Sequence, residues 1–244
     1  MSDHSVFNST YRAFLFDMDG TVLTSIAAAE RVWTTWAVRH GVDVDSFLPT
    51  IHGARAIDTI RRLDLPGVDA EAEAAWITGA EVVDVDGVLE VAGAAKFLRS
   101  LPAGQWAIVT SAPRELALRR MAAAGIPEPD VMITAEDVTV GKPDPTGYKL
   151  AARRLGVEPE QCLVFEDATV GILAAEAAGA DLMIVTATHE QPIETLHATL
   201  ASYESVLVKV GADGLRLHTA SCGSGGAAIR LARESGVSVN IDSD

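Results

Sequence analysis

Five short apolar runs constrain this chain more than any other feature: "AFLFD" (13–17), "WAIVT" (106–110), "VMIT" (131–134), "CLVFE" (162–166) and "DLMIVT" (181–186). Each is continuous rather than alternating. A strand with one face in water alternates apolar and polar residues. A strand covered on both faces has no need to, and parallel sheets flanked by helices meet that condition. Helix-like stretches stand between the later runs: "PRELALRRMAAAG" (113–125), "PTGYKLAARRLG" (145–156) and "ATVGILAAEAAG" (168–179). Each closes on glycine, a common helix stop. Pro113 and Pro145 suit a first helical turn, where a missing N–H costs nothing. Strand and helix in repetition predict an α/β fold built on a doubly wound, Rossmann-like parallel sheet.

One segment interrupts the repetition. Between Thr24 and Val88 there is no strand pattern, but three helix-like stretches: "AAAERVWTTWAVRHG" (27–41), "ARAIDTIRRLD" (54–64) and "AEAEAAWITGAEVV" (70–83). Ile57, Ile60 and Leu63 share a face of the second, and Trp33 and Trp36 both suit the core side of the first. The predicted organisation is a core of residues 1–23 and 89–218, an inserted α-helical cap of residues 24–88, and a tail, 219–244, without a functional assignment. A helix is expected near 92–101, and "SVLVKV" and "GLRLH" around "GADG" read as a hairpin. In the tail, residues 221–226 read as a flexible linker that a short helix can follow.

Charge excludes some functions. Lys and Arg total 19 and Asp and Glu 34, a net charge of -15, which argues against nucleic acid or an anionic membrane as partner. No apolar run approaches the ~18 residues of a membrane span, and "MSDHSVFNSTYR" has no basic region followed by an apolar stretch. The expectation is a cytoplasmic protein, a monomer or weak homodimer. Cys162 and Cys222 make neither a disulfide framework nor a zinc spacing, and Cys162 reads as a buried thiol.

In a parallel α/β sheet, ligands bind beyond the carboxyl ends of the strands. Asp17 and Asp19 follow the first run, Thr110 and Ser111 the second, and Glu166 and Asp167 end "CLVF". Lys142 lies in "VGKPDP", just before a helix. Four carboxylates, two hydroxyls and a lysine therefore converge on one edge. Like charges so close repel, and burial raises the cost. A divalent cation is the usual resolution, and oxygen ligands without His or Cys point to Mg2+. Singly, "DMDG" is a turn, "TS" an N-cap and Lys142 a solvated lysine. Their joint placement at strand ends is what those readings leave unexplained.

"FDMDGTV", "VTSAP", "GKPDPTGY" and "VFEDATVGILAAEAAG" resemble, in order and spacing, the four motifs of the haloacid dehalogenase-like hydrolases. The resemblance runs from about residue 12 to 187, and the helical insertion lies where one large subgroup carries a mobile cap. It implies that Asp17 is the nucleophile, forming an aspartyl-phosphate, and that Asp19 is general acid and then base. It implies that Thr110, the backbone of Ser111 and Lys142 hold the phosphoryl oxygens. It also implies that Mg2+ is held by Asp17, the carbonyl of Asp19 and the Glu166/Asp167 pair, Asp167 being favoured as the direct ligand. Dehalogenases lack an acid at Asp19. Phosphonate hydrolases lack it too and need a cap lysine, and residues 24–88 contain no lysine. The β-phosphoglucomutases carry a histidine twelve residues after the nucleophile, where this chain has Ala29.

In the cap, "HGARAIDTI" resembles an HG-x-R-x-x-D stretch of glycerol-phosphate, 2-deoxyglucose-6-phosphate and related sugar- or polyol-phosphate phosphatases. That implies substrate contacts from His52, Gly53 and Arg55. The plainer reading is that Gly53 ends a loop while Arg55 and Asp58 cap or pair on the helix. The expected function is a Mg2+-dependent phosphatase of small sugar or polyol monophosphates. The alternatives are a phosphomutase and a non-catalytic phosphate-binding protein on the same fold.

Overall fold

The apolar runs become the strands of one sheet. In the computed structural model, which describes residues 6–189, 191, 193–220 and 229–230, the chain opens with β1 (Ala13–Phe16) and β2 (Leu23–Thr24). Four helices follow, α1 (Ile26–Arg39), α2 (Val44–Phe47), α3 (Ala56–Leu63) and α4 (Ala70–Val83). The chain returns through β3 (Leu89–Glu90) and α5 (Ala94–Arg99), then alternates: β4 (Trp106–Val109), α6 (Arg114–Ala124), β5 (Val131–Ile133), α7 (Thr146–Arg154), β6 (Cys162–Glu166), α8 (Thr169–Ala178) and β7 (Asp181–Val185). β8 (Ala198–Leu200), the hairpin of β9 (Val206–Gly211) and β10 (Gly214–Thr219), and β11 (Ile229–Arg230) complete the described elements.

The main sheet has the order β11-β8-β7-β6-β1-β4-β5. All neighbours are parallel except β11, which pairs antiparallel with β8. From β1 the chain moves outward to β4 and β5, then returns to β6 on the other side of β1. The order reverses between β1 and β6, and a crevice opens beyond the strand ends at such a point.

The unbroken apolar runs have their cause in two core layers. Phe14 and Phe16 of β1 face an aromatic layer with Phe97, Phe165 and Tyr203, in which Phe16 stacks on Phe165 at 4.6 Å. Ala13 and Leu15 face a second layer with Tyr148, Val164 and Ile184. The inserted helices have a third core of their own, centred on Trp33, Trp36, Phe47, Ile60 and Ile77.

Several elements differ from expectation. β2 and β3 form a two-residue antiparallel ribbon at the base of the insertion, with Leu23 opposite Glu90 and Thr24 opposite Leu89. α2 adds a single turn between α1 and α3, its N-terminus capped by Asp43. β8 extends the sheet beyond the five expected strands. Residues 229–230 are a strand where a short helix was expected, and the expected linker at 221–226 lies outside the described residues. Pro113 and Pro145 stand at the N-caps, one residue ahead of the first turn. Among the described residues no helix is long and apolar enough to cross a membrane.

Candidate active site

The site is built at the carboxyl ends of β1 and β6. Asp17 is the first residue past β1, and its amide donates to the carbonyl of Phe165 on β6. The chain then folds sharply, with the Gly20 amide donating to the Leu23 carbonyl. Gly20 has φ +92°, and a Cβ there would lie 2.0 Å from Asp167 Oδ2. Glycine is thus required twice, for the backbone sign and for the approach of Asp167. Thr21 donates its hydroxyl to Asp167 Oδ1 at 3.0 Å.

Lys142 joins the two strand ends. Its ammonium donates to Asp17 Oδ1 at 2.5 Å and to Glu166 Oε1 at 2.7 Å, and it lies 5.2 Å from the Tyr148 ring centre. Glu166 is fully buried. Its Oε1 also accepts from the Tyr148 hydroxyl, and its Oε2 accepts from the amides of Asp167 and Ala168. A carboxylate offers about four lone-pair directions, and these four donors use them.

Asp17, Glu166 and Asp167 each bring an oxygen within 4.8 Å of the others. Burial raises the Asp17 carboxyl, to about 7; Lys142 opposes this and Glu166 adds to it. Asp167 is raised well above the usual range, by burial first and then by Glu166 and Asp17. Burial alone would lower Lys142, but the two carboxylates beside it hold its ammonium well above its ordinary value. The cluster contains only oxygen donors and is short of positive charge, and the bare backbone at Gly20 is what lets the Asp167 carboxylate join it. Those features fit a hard divalent cation.

The remaining expected residues divide. The Asp19 carboxylate is not in the three-carboxylate cluster. It accepts from Ser25 Oγ at 2.6 Å and Arg120 Nη1 at 3.0 Å. Thr110 shares a cavity with Asp17, Asp19 and His52, and its hydroxyl accepts from the Ala112 amide. Ser111 donates its hydroxyl to the Gly53 carbonyl at 2.8 Å, so core and cap meet there. Gly53 has φ +74°, and a Cβ would lie 2.6 Å from that of Ala168. His52 lies 3.9 Å from Glu30, and burial lowers its imidazole.

Arg55 is not among the residues lining the Asp17 cavity. Its Nε and Nη2 pair with Asp58 at 2.6 and 3.0 Å, and its Nη1 and Nη2 donate to the carbonyls of Val138 and Thr139, each at 3.0 Å. The plainer of its two sequence readings, pairing with Asp58, is the one observed. The guanidinium also binds the loop before Lys142 and, with Thr110, Ser111 and Lys142, lines a small neighbouring cavity.

Sequence reasoning did not single out Ser25, Arg120, Glu81 or Tyr148. Tyr148 stands inside the quoted "GKPDPTGY", so its signal was present. Arg120 reads locally as a surface charge in "ALRRM" and is nonetheless 5% exposed.

The family of haloacid dehalogenase-like hydrolases matches residues 11–179. Hexitol phosphatase A of Escherichia coli is 38% identical over 208 residues, which cover 83% of this chain and 96% of that protein. Validoxylamine A 7'-phosphate phosphatase of Streptomyces hygroscopicus subsp. limoneus is 38% identical, over 74% and 88% of the two chains. The 2-deoxyglucose-6-phosphate phosphatase 1 of Saccharomyces cerevisiae is 33% identical, over 73% and 81%. Among solved structures, CbbY of Rhodobacter sphaeroides in complex with phosphate has the same fold, with a TM-score of 0.65 at 23% identity, covering 79% of this chain and 95% of that one.

Proposed function

This chain belongs to the haloacid dehalogenase-like hydrolases, and on that premise we propose that it is a Mg2+-dependent phosphatase of small sugar or polyol monophosphates. The observation that carries the proposal is the buried Asp17 carboxylate, held by Lys142 beside Glu166 and Asp167, opening on the cavity it shares with Asp19 and Thr110. The names of the hexitol, validoxylamine and deoxyglucose phosphate phosphatases support the substrate class.

An oxygen of Asp17 attacks phosphorus, the ester P–O bond breaks, and Asp19 gives its proton to the departing alkoxide. Asp19 then takes a proton from the water that attacks the aspartyl-phosphate, returning Asp17 and releasing phosphate. Lys142, Thr110 and the backbone of Ser111 hold the phosphoryl oxygens. A phosphomonoester and a carboxylate repel, so rate depends on positive charge fixed where charge develops. Asp17, Asp167 and the carbonyl of Asp19 would hold Mg2+, with Glu166 as a support whose lone pairs are already taken. The cation, when bound, supplies counter-charge to the phosphoryl group.

Hydrolysis is favoured over a phosphomutase by charge. A mutase must grip a second phosphate. The wider cleft beside Asp19 and Asp167 carries Glu30, Asp45, His52 and His189, and no Lys or Arg among its described lining residues. Arg55 is committed elsewhere, and Ala29 has no group to move a proton. A neutral, hydroxylated leaving group suits such a cleft; a second anion does not.

The test is turnover of an aryl phosphate with and without Mg2+, followed by a panel of hexitol, hexose and glycerol phosphates. Turnover of the aryl phosphate only with Mg2+, and faster turnover of one or more polyol phosphates, is expected. No turnover of any phosphomonoester refutes the proposal. A bisphosphate preferred over its monophosphate refutes the substrate class.

A further inference from the structure

Arg120 has no part in the mechanism above, yet its buried guanidinium reaches the acid of that mechanism. It stands on α6, which begins three residues after Ser111. On one side its Nη1 donates to Asp19 Oδ1 at 3.0 Å. On the other its Nη2 lies 3.2 Å from Glu81 Oε1, the two side chains being 6% and 8% exposed. Glu81 belongs to α4, the helix whose Ile77 sits in the core of the inserted helices. A core helix thus holds Asp19 with a side chain that a cap helix holds in turn.

The arrangement is poor as a device for stability. Arg120 Nε and Nη2 are buried without a hydrogen-bond partner among the described residues, so the Glu81 contact is charge against charge without alignment. A buried, partly satisfied guanidinium is usually matched or bettered by an apolar side chain of its size. What an apolar side chain cannot do is grip Asp19. Ser25 Oγ and Arg120 Nη1 both bond Oδ1, and among the described residues nothing donates to Oδ2. One oxygen is fixed by two donors and the other is left for proton transfer. Arg120 is the only Lys or Arg among the described residues lining the cavity that contains Asp17 and Asp19.

We propose that Arg120 is a positioning residue for Asp19, and that Glu81, from the inserted helices, holds Arg120 in place for that task. The acid then has its working orientation only while α4 is seated against α6. The inference rests on the reading of Asp19 as general acid.

A general acid matters most when the leaving group is a poor one. Phenyl phosphate and para-nitrophenyl phosphate differ in leaving-group basicity and carry no hydroxyls for the cap to bind, so their ratio isolates proton transfer from substrate contact. The full chain is assayed with both esters in excess Mg2+, as wild type and as Asp19→Ala, Arg120→Met, Arg120→Lys and Glu81→Gln. Asp19→Ala is expected to lose more kcat on phenyl phosphate than on the nitro ester. Arg120→Met should repeat that pattern, its loss on phenyl phosphate exceeding that on the nitro ester by about tenfold or more, the scale of a misplaced catalytic group. Arg120→Lys should recover part of the difference, and Glu81→Gln, which keeps shape and removes charge, should show a smaller loss of the same kind. Equal losses on the two esters in both Arg120→Met and Glu81→Gln, with Asp19→Ala still discriminating, overturn the positioning role alone. No discrimination in Asp19→Ala overturns the underlying reading and the inference together. If Arg120→Met does not fold, Glu81→Gln decides by the same ratio.

Discussion

Replacing Arg55 with Ala separates two roles that the motif "HGARAID" leaves open. The guanidinium makes a paired contact with Asp58 and two bonds to carbonyls of the loop that leads to Lys142. The side chain of Arg55 is 11% exposed and that of Asp58 35%. Asp58 is therefore open enough to be hydrated when its partner is lost, and leaving it unpaired costs little. The two bonds to Val138 and Thr139 are the larger loss. A hydrogen bond from a charged donor is worth about 1.5–3 kcal/mol, and water replaces part of both, so about 2–3 kcal/mol of cap-to-core contact is removed. At about 1.4 kcal/mol per factor of ten, kcat/KM should fall by up to about 30- to 150-fold. The decisive feature is uniformity. A lost clamp misplaces the loop before Lys142 for every substrate, so a polyol phosphate and an aryl phosphate should lose alike. A substrate-contacting Arg55 would spare the aryl ester. Parallel steady-state assays on both esters read the difference, and an Arg55→Ala enzyme that keeps its aryl phosphatase rate while losing the polyol phosphate refutes the clamp. Asp58→Ala should cause part of the same loss, and the double variant should fall well short of the sum, since the two side chains act as a unit.

Asp17→Asn should remove turnover while leaving the thermal midpoint nearly unchanged, because the amide keeps the shape of a carboxyl that burial already disfavours as an anion; a residual rate above a few per cent of wild type counts against Asp17 as nucleophile. Excess EDTA should abolish activity, and Ca2+ added against Mg2+ should inhibit, since Ca2+ takes more oxygens in looser geometry and can engage Asp17 with both; turnover undiminished by EDTA contradicts the cation requirement. Gly20→Ala should lose at least about 100-fold in kcat, the scale of a catalytic group displaced by an ångström, since its Cβ would overlap Asp167 and its φ is +92°. A Gly20→Ala enzyme near the wild-type rate would show that Asp167 is not needed where it stands.

The sheet and the convergence of Asp17, Glu166, Asp167 and Lys142 were legible in the sequence for a local reason. A strand buried on both faces must be apolar along its whole length, and its end is marked where polar residues begin. Alternation of strand and helix then brings all those ends to one edge. In the insertion α1, α3 and α4 declared themselves by periodicity over two or more turns, and the single turn of α2 did not. β2, β3, β8 and β11 did not, because two or three residues are too few for a period to appear. They exist because a neighbouring strand offers partners, and for β2 and β3 that neighbour lies on the far side of the whole insertion. The same distance hid the roles of the arginines. Arg55 finds carbonyls 83 and 84 residues away, and Arg120 finds Asp19 101 residues away. A guanidinium reads in sequence as a charge to be solvated, whereas its role depends on which acceptor comes within about 3 Å of it. The sequence by itself determined the kind of fold and the carboxylates at its edge, since both follow from the pattern of burial along single elements. Only the tertiary structure decided that Arg55 donates to the loop before Lys142, that Glu166 has no lone pair to spare, and that Asp19 accepts from Arg120 on its far side, because a directional bond is specified by the packing of several elements and not by any one of them.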